Sequence, residues 1–480
     1  MHENKATGHA PATVAVVGLG KIGLPLATCY AMHGWHVIGC DINAEIVAQV
    51  NAGLSHVQEE PELAVEVPRL VSQGLLMATS DTAQAVRQSS VVVVIVPVLV
   101  DERHQIKFDA IDAASAAIGA GLQPGTLVIY ETTLPVGTTA LRLRCILEQT
   151  SNLQAGRDFL LAYSPERVSS GRIFHDLQVY PKVVGGIDEA STRAAEEFYR
   201  SVLEADIITM PSTNDAEFVK LVETTYRDVN IALANEFAQY ADTHGLDVMA
   251  AIAAANTQPY SHVHTPGVGV GGHCIPVYPY FLINGLLERE MQQDSVQLAH
   301  LLLPRAARQV NDTMAEYAVQ RIEAITGSLA GQAVLIMGVS YRGDVRETAF
   351  SSARLLWQAL LRHGARAFAD DPLYSDDELR AMGYIPLAPD RQGEISAIIV
   401  QAAHSAYHDT DFSKFSGCLA LLDGRMMLSR EKIERQGIHY IAIGDGGQAA
   451  MAEQEEAMFA LNVAAHNTAR LDQPWLGGKA

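Results

Sequence analysis

Positive charge is what this sequence has least of. Its 34 lysines and arginines stand against 55 aspartates and glutamates, a net charge of -21 with histidine neutral. A nucleic-acid partner needs a cationic footprint, so no nucleic acid is expected, and any anionic ligand must be held by local groups. Cysteine is nearly as scarce. Cys29, Cys40, Cys145, Cys274 and Cys418 are scattered, with no paired spacing and no C-x-x-C. That excludes a disulfide framework, gives no metal site, and suits free thiols in a reducing cytoplasm. The longest apolar run, Val91 to Val100, is too short to cross a bilayer and reads as a buried strand, so no membrane contact is expected. The first residues, MHENKATGHA, are polar and lack the apolar core of a signal peptide. What is present is the composition of a soluble globular protein, 48% apolar and 19% charged, whose 480 residues suggest about three domains.

One stretch stands out against that background. PGVGVGGHCIPVYPY, Pro266 to Tyr280, places Gly267, Gly269, Gly271 and Gly272 just before a lone cysteine, Cys274. Each glycine costs backbone entropy and offers no side chain, so something is expected to approach this backbone closely. A thiol on such a loop is either a nucleophile or a structural residue, and the loop alone leaves both open.

Earlier in the chain, ATVAVVGLGKIGLPLATCYAMHGWHVIGCDIN reads as strand, turn, helix and strand. Gly18, Gly20 and Gly23 form G-x-G-x-x-G, which brings a pyrophosphate to a helix N-terminus whose free N-H groups favour anions. Asp41 ends the second strand about 20 residues on, where an acid accepts from the ribose 2'-hydroxyl. No arginine follows it, so NAD is expected rather than NADP.

The alternation continues with strands at Ser90 to Val96, ended by Pro97, at Thr126 to Glu131, and at Phe159 to Tyr163. The second runs into TTLPVGTT, whose Thr132 and Thr133 either contact cofactor or substrate or serve a turn and helix cap. The third runs into SPERVSSGR, where Glu166 either acts as a base or pairs with Arg167. Asn214 to His244 has no proline or glycine and predicts one long helix. Its buried stripe is Phe218, Leu221, Val222, Val229, Leu233 and Phe237, and Asn214 and Glu217 form a capping pair. Lys220 and Thr224 share a face, and spacing alone makes Lys220 a solvated lysine. A helical region from Leu286 to Ile325 follows the cysteine loop. A second strand-helix-strand unit then covers Ala333 to Val339, Ser351 to His363 and a strand ending at Asp370, with further strands at Ala397 to Val400 and Leu419 to Leu422. It lacks the dinucleotide fingerprint, but Arg342 and Arg346 lie at its first turn, where an anion would bind.

Assembled, these stretches resemble the nucleotide-sugar 6-dehydrogenases, the family of UDP-glucose and UDP-N-acetylhexosamine dehydrogenases. The resemblance covers about residues 12 to 445 and rests on GLGKIGLPLA, TTLPVGTT, YSPERV, KLVETTYRDVNIALANE, PGVGVGGHCIP and YRGDVRET. It implies an α/β fold of two doubly wound Rossmann-like domains joined by a long central helix. The implied divisions are an NAD-binding domain over 12-210, a central dimerisation domain with the cysteine loop over 211-325, a sugar-nucleotide domain over 326-447, and a helix and tail over 448-480. It also implies a homodimer, a nucleotide-sugar substrate, and a C6 hydroxymethyl oxidised twice by NAD to the uronic acid.

Carried over residue by residue, the resemblance makes Cys274 the nucleophile that holds the aldehyde as a thiohemiacetal and then a thioester. Lys220 steadies the oxyanion, Glu166 helps activate water and Thr133 positions it. Gly18, Gly20, Gly23, Asp41, Pro97 and Thr133 fall to the cofactor; Arg167, Lys220, Tyr260, Gly271, Arg342 and Arg346 fall to the substrate, the two arginines on a shorter turn than many members show. Two departures lie in the catalytic set: Thr224 where members commonly have asparagine, and Tyr278 where they have aspartate. Both bear on hydrolysis more than on oxidation. Val98 and Leu99 replace the usual Thr-Pro, and Tyr260 stands where the acetylated-sugar branch often has arginine. UDP- or dTDP-glucose therefore stays open as substrate. A two-electron hydroxy-acid dehydrogenase would have no use for Cys274, and a non-catalytic sensor would have no use for Cys274, Lys220 and Glu166 together.

Overall fold

The computed structural model describes residues 12-101, 103-290 and 301-446. The C-terminal helix and tail expected over 448-480, and residues 291-300 of the expected helical region, lie outside them. The described residues form two compact units, one over 12-225 and 277-290, the other over 226-276 and 301-446.

In the first unit, β1 (Thr13–Val17) leads through the glycine turn to α1 (Gly23–Met32) and β2 (His36–Cys40). Then come β3 (Leu76–Thr79), β4 (Val91–Val94), β5 (Leu127–Tyr130), β6 (Leu160–Tyr163), β7 (Lys182–Gly186), α2 (Glu189–Val202) and β8 (Ile207–Thr209). They build one eight-stranded sheet in the order β8-β7-β6-β5-β4-β1-β2-β3. β4 is VVVV and buried along its whole length, as a parallel strand covered on both faces must be. The strands β3, β7 and β8 have no counterpart in the sequence reading. β7 runs antiparallel to β6, pairing Tyr163 with Gly185 and Ala162 with Gly186. That reversal brings its first residue, Lys182, to the edge of the sheet where β5 and β6 end.

The long helix α3 (Thr213–His244) crosses from one unit to the other at residue 225. Its expected buried stripe is corrected: Leu221 is fully buried, but Phe218, Val222, Leu233 and Phe237 are 42 to 48% exposed, and Val229 is half-buried. The buried face instead carries small and polar residues, among them Ala216, Lys220, Thr224, Asp228, Asn235 and Ala238. Small residues let the helix lie close against its neighbours, and the large apolar side chains are turned outward.

In the second unit, α4 (Leu302–Thr326) packs with β9 (Ala333–Met337), α5 (Ser352–Arg362), β10 (Arg366–Asp370), β11 (Ile395–Val400), β12 (Ala420–Asp423) and β13 (His439–Ala442). The strands form an all-parallel sheet in the order β10-β9-β11-β12-β13. This doubly wound order puts the ligand crevice beyond the carboxyl ends of its strands.

Candidate active site and cofactor site

The cofactor residues are brought together as the fingerprint requires. Gly18 has φ +96° and its N-H donates to Cys40 O at 2.8 Å, bending the chain out of β1 beside the end of β2. A Cβ on Gly23 would fall 1.8 Å from Gly18 O, so that glycine allows helix and strand to touch. A Cβ on Gly20 would meet nothing within 4 Å, leaving open space over the turn. α1 has no side-chain cap at Ile22 and no acid in its first turn to compete with an anion there, although Leu24 N already donates to Gly20 O at 3.1 Å. Asp41 accepts from Leu19 N and Asn43 N, each at 2.9 Å. Open space, an uncapped helix and an ordered carboxylate fit a dinucleotide. Exposed Pro97 lies beyond β4, and Thr132 donates to Val96 O at 2.6 Å, tying the two strand ends together. Thr133 is buried on the same turn.

The catalytic candidates of the first unit cluster at the ends of β5 and β6. Lys220 is 8% exposed and its ammonium donates to the main-chain oxygen of Glu166 at 2.5 Å, so the solvated-lysine reading does not hold. Of the two readings of Glu166, the pairing with the Arg167 side chain is not the one found. Glu166 Oε1 accepts from the main-chain N-H groups of Arg167 and Val168 at 2.6 and 3.0 Å, and Oε2 accepts from Lys182 Nζ at 2.9 Å. The Arg167 guanidinium turns to Glu223 at 2.5 Å and to Pro181 O at 3.0 Å. Thr224 is buried and its hydroxyl donates to Lys220 O at 2.9 Å, one turn back on its own helix. The Tyr278 ring packs 5.2 Å from that of Phe281.

Two buried charges at this edge escaped the sequence reading, and a third was read there as a helix cap. Glu131, directly after β5, is fully buried; its Oε2 accepts from Lys182 Nζ at 2.9 Å, and its Oε1 accepts from Tyr30 OH and Tyr199 OH at 3.0 and 2.5 Å. Lys182 is 5% exposed and bridges both glutamates. Burial pushes the Glu131 carboxyl up to about 7 against the pull of Lys182, and Glu166 adds to the rise. For Glu166 burial acts upward too, but the Lys182 ammonium and its hydrogen bonds prevail and lower it to about 2. Burial likewise opposes the Lys182 ammonium, and the two carboxylates outweigh it, so its pKa is raised. The third is Glu217. It is fully buried and accepts from Gly137 N at 2.5 Å and Thr139 N at 2.8 Å, fixing the TTLPVGTT turn, while Asn214 Oδ1, the other half of the expected capping pair, has no hydrogen-bond partner. The signal for Glu131 was visible: a carboxylate that directly continues the apolar strand LVIY must be buried or end it.

In the second unit, the close approach expected at the glycine loop is made by the protein itself. A Cβ on Gly271 would lie 2.7 Å from Tyr341 Cβ, one on Gly269 2.8 Å from Ser352 Cβ, and one on Gly267 2.9 Å from the Arg425 guanidinium. Gly272 N donates to Ala349 O at 2.9 Å. Gly271 thus packs against the 341-352 segment with no room for a side chain. The loop is also tied to the helices. Gly267 N donates to Asn235 on α3, Asn235 donates to Asn311 on α4, both at 2.9 Å, and Asn311 and Arg308 hold the buried carboxylate of Asp228. Cys274 is half-buried at the end of this anchored run.

Of the substrate candidates here, Tyr260 is 89% exposed on a turn. Arg342 is exposed, with its guanidinium 5.9 Å from the Tyr341 ring. Arg346 is engaged by Glu378 and by Leu373 O, so its charge is already met on the protein. The turn after β9 repeats the cofactor turn in detail. Gly338 has φ +94° and donates to Asp370 O at 2.7 Å, and Asp371 accepts from Val339 N and Ser340 N at 2.8 and 3.0 Å. Here Ser351 caps the following helix by accepting from Ala353 N, so the fingerprint's free N-terminus is absent.

Comparisons with known proteins agree with this arrangement. Residues 12-203 match the NAD-binding domain of the UDP-glucose/GDP-mannose dehydrogenase family, and residues 214-312 match its central domain. The UDP-N-acetyl-D-mannosamine dehydrogenase of Pyrococcus horikoshii is 37% identical over 346 residues, 71% of this chain and 78% of that protein. An NDP-N-acetyl-D-galactosaminuronic acid dehydrogenase of Ralstonia solanacearum is 35% identical over 347 residues, again 71% and 78%. The solved structure of UDP-D-ManNAc dehydrogenase from Pyrococcus horikoshii superposes with a TM-score of 0.79 at 30% identity, covering 91% of this chain and all of that one.

Proposed function

Because the chain belongs to the UDP-glucose/GDP-mannose dehydrogenase family and is an NAD-dependent oxidoreductase of nucleotide sugars, we propose that it oxidises the C6 hydroxymethyl of a UDP-N-acetylhexosamine to the uronic acid, in four electrons. The reading is supported above all by the family's central-domain match over 214-312, which carries both Lys220 and Cys274. Gly18, Gly20, Gly23 and Asp41 would hold NAD, which would accept the hydride of each oxidation. The Cys274 thiolate adds to the C6 aldehyde, and the thiohemiacetal so formed is oxidised to a thioester. Lys220 has three donors and spends one on Glu166 O, so two remain for the oxyanion at C6. Glu166 takes a proton from water, hydroxide adds to the thioester carbonyl, and the carbon-sulfur bond breaks to free the acid and Cys274.

The N-acetylated substrate is favoured by the names of the relatives; UDP- or dTDP-glucose is the second reading, favoured by Tyr260 in place of the acetylated branch's arginine. The exposed apolar face of α3 supports a homodimer, with a second copy covering Phe218, Val222, Leu233 and Phe237. No described helix is long and apolar enough to cross a membrane, and a cytoplasmic setting suits five free thiols. The test is Cys274→Ala. It abolishes net acid formation and leaves NAD affinity intact; full turnover by that variant would refute the thioester route.

A further inference from the structure

The buried charges behind Glu166 are larger in number than its positioning needs. Two main-chain N-H groups already fix Glu166 Oε1, yet Oε2 meets a buried lysine that is shared with a second buried glutamate. The register of β6 and β7 sets this up: Tyr163 opposes Gly185, and the same alignment continued past the strand end places Glu166 opposite Lys182. Lys182 and Glu166 lie on one side of Glu131; Tyr30 and Tyr199 donate on the other, and Cys29 contributes from α1. Burial first, and then neighbouring carboxylates, hold both tyrosines well above their usual range, and burial pushes Cys29 up to about 12. The fully buried Tyr163 is also near Glu131, and burial, with Glu131 among lesser causes, holds it well above its usual range. All four stay protonated near neutrality, so among the groups facing it Glu131 is the acceptor that lies inward of Lys182.

We propose that Lys182 and Glu131 form an internal proton relay for the hydrolytic step, carrying inward the proton that Glu166 takes from water. This rests on the reading of Glu166 as the base. In the relay, water's O-H bond breaks and its proton goes to Glu166. Glu166 passes a proton to Lys182 Nζ as Lys182 passes one to Glu131 Oε2, and hydroxide bonds the thioester carbon as the thiolate leaves. Lys182 ends as it began, a cation, and Glu131 ends neutral. Solvent regains the proton by the reverse route, through Lys182 and Glu166, once the product has left. Glu166 is thereby restored as a carboxylate while the acid product is still bound. Lys182 and Glu131 touch neither substrate nor cofactor in this scheme; they act through Glu166.

The two roles open to Lys182, fixed cation and relay, separate in Lys182→Arg. An arginine keeps a cation between the glutamates but does not give up its proton. Glu131→Gln, nearly the same shape, is the second variant and removes the acceptor. With UDP-N-acetyl-D-mannosamine and NAD in a rapid-quench experiment, acyl-Cys274 is counted by intact mass. Both variants form the adduct at the wild-type rate and lose it tenfold or more slowly, in the range of a general acid-base contribution. In infrared spectra at pH 6, wild type shows a protonated-carboxyl band that Glu131→Gln lacks, and the band is gone at pH 8, the pH of the quench, where Glu131 is ionised and can accept. Wild-type loss of the adduct in Lys182→Arg would overturn the relay, as would its loss at the wild-type rate in Glu131→Gln or failure of both variants to form it. Glu166→Gln distinguishes the two levels. Slow hydrolysis there with fast hydrolysis in the other two removes the relay alone, whereas fast hydrolysis in Glu166→Gln removes the base assignment on which it stands.

Discussion

The carboxylate of Asp41 accepts one main-chain N-H on each oxygen, and an ionised carboxylate has lone pairs for further donors. It therefore shapes the glycine turn and keeps acceptors for a ribose. Asp41→Ala is expected to weaken NAD binding about tenfold or more, by loss of a charge-assisted hydrogen bond and of turn order; an unchanged calorimetric affinity would contradict the site. Glu131 makes a prediction of opposite sign to that of most acids. Its carboxyl is raised by burial to about 7, so the folded protein binds a proton that the unfolded chain releases. That contribution is whole below pH 4.5 and is lost as pH rises from there to about 7. Glu166, lowered to about 2, adds stability above pH 4.5 that is lost as pH falls toward 2. The melting temperature of wild type should thus fall relative to that of Glu131→Gln between pH 4.5 and 7; parallel pH curves would contradict the burial account. At this scale the chemistry-bearing types were legible, since Cys274, Lys220, Glu166 and Asp41 each stand in a recognisable run. Their partners were not, because pairing is a property of tertiary register. Glu166 sits beside Arg167 in sequence and bonds Lys182 across the sheet.

Elements explain why some of these residues were readable and others hidden. The G-x-G-x-x-G turn is largely local: Gly23 meets Gly18 O and Gly18 donates to Cys40 O, and only the approach of Ile95, just past β4, comes from farther along the chain. Its glycines are not equivalent, however. Gly20→Ala points a methyl into open space and should leave thermal stability within about 0.5 kcal/mol while lowering NAD affinity. Gly23→Ala must move Gly18 O and should cost roughly 1 to 3 kcal/mol in a denaturation experiment. Equal effects of the two on stability would contradict the division. The cysteine loop shows the limit of local reading. Its glycines announced a close approach, but only the tertiary structure says that Tyr341, Ser352 and Arg425 make it. The same holds for β7, whose reversal no pattern of apolar residues encodes and which brings Lys182 to Glu131 and Glu166. On α3, helix spacing gave the helix but assigned the wrong face, because the buried side is small and polar while the large apolar residues point out.

For the whole molecule, the doubly wound architecture, the cofactor class and the second Rossmann-like sheet were all legible, because each rests on alternation repeated over long stretches. The proposed homodimer rests on the exposed apolar surface of α3. Phe237→Glu, on that exposed face, is expected to shift the sedimentation coefficient from dimer to monomer with the melting temperature of the separated chain little changed; a dimer in the variant at micromolar concentration would contradict the assignment of that face. The most direct test of the account as a whole is the count of NADH per product, measured on the wild-type enzyme with UDP-N-acetyl-D-mannosamine, UDP-N-acetyl-D-glucosamine, UDP-glucose and dTDP-glucose, each product identified by mass. The account predicts two NADH for every uronate formed, with an N-acetylated sugar as the substrate that turns over. One NADH per sugar with an aldehyde as product, or no NADH from any of the four, would contradict it.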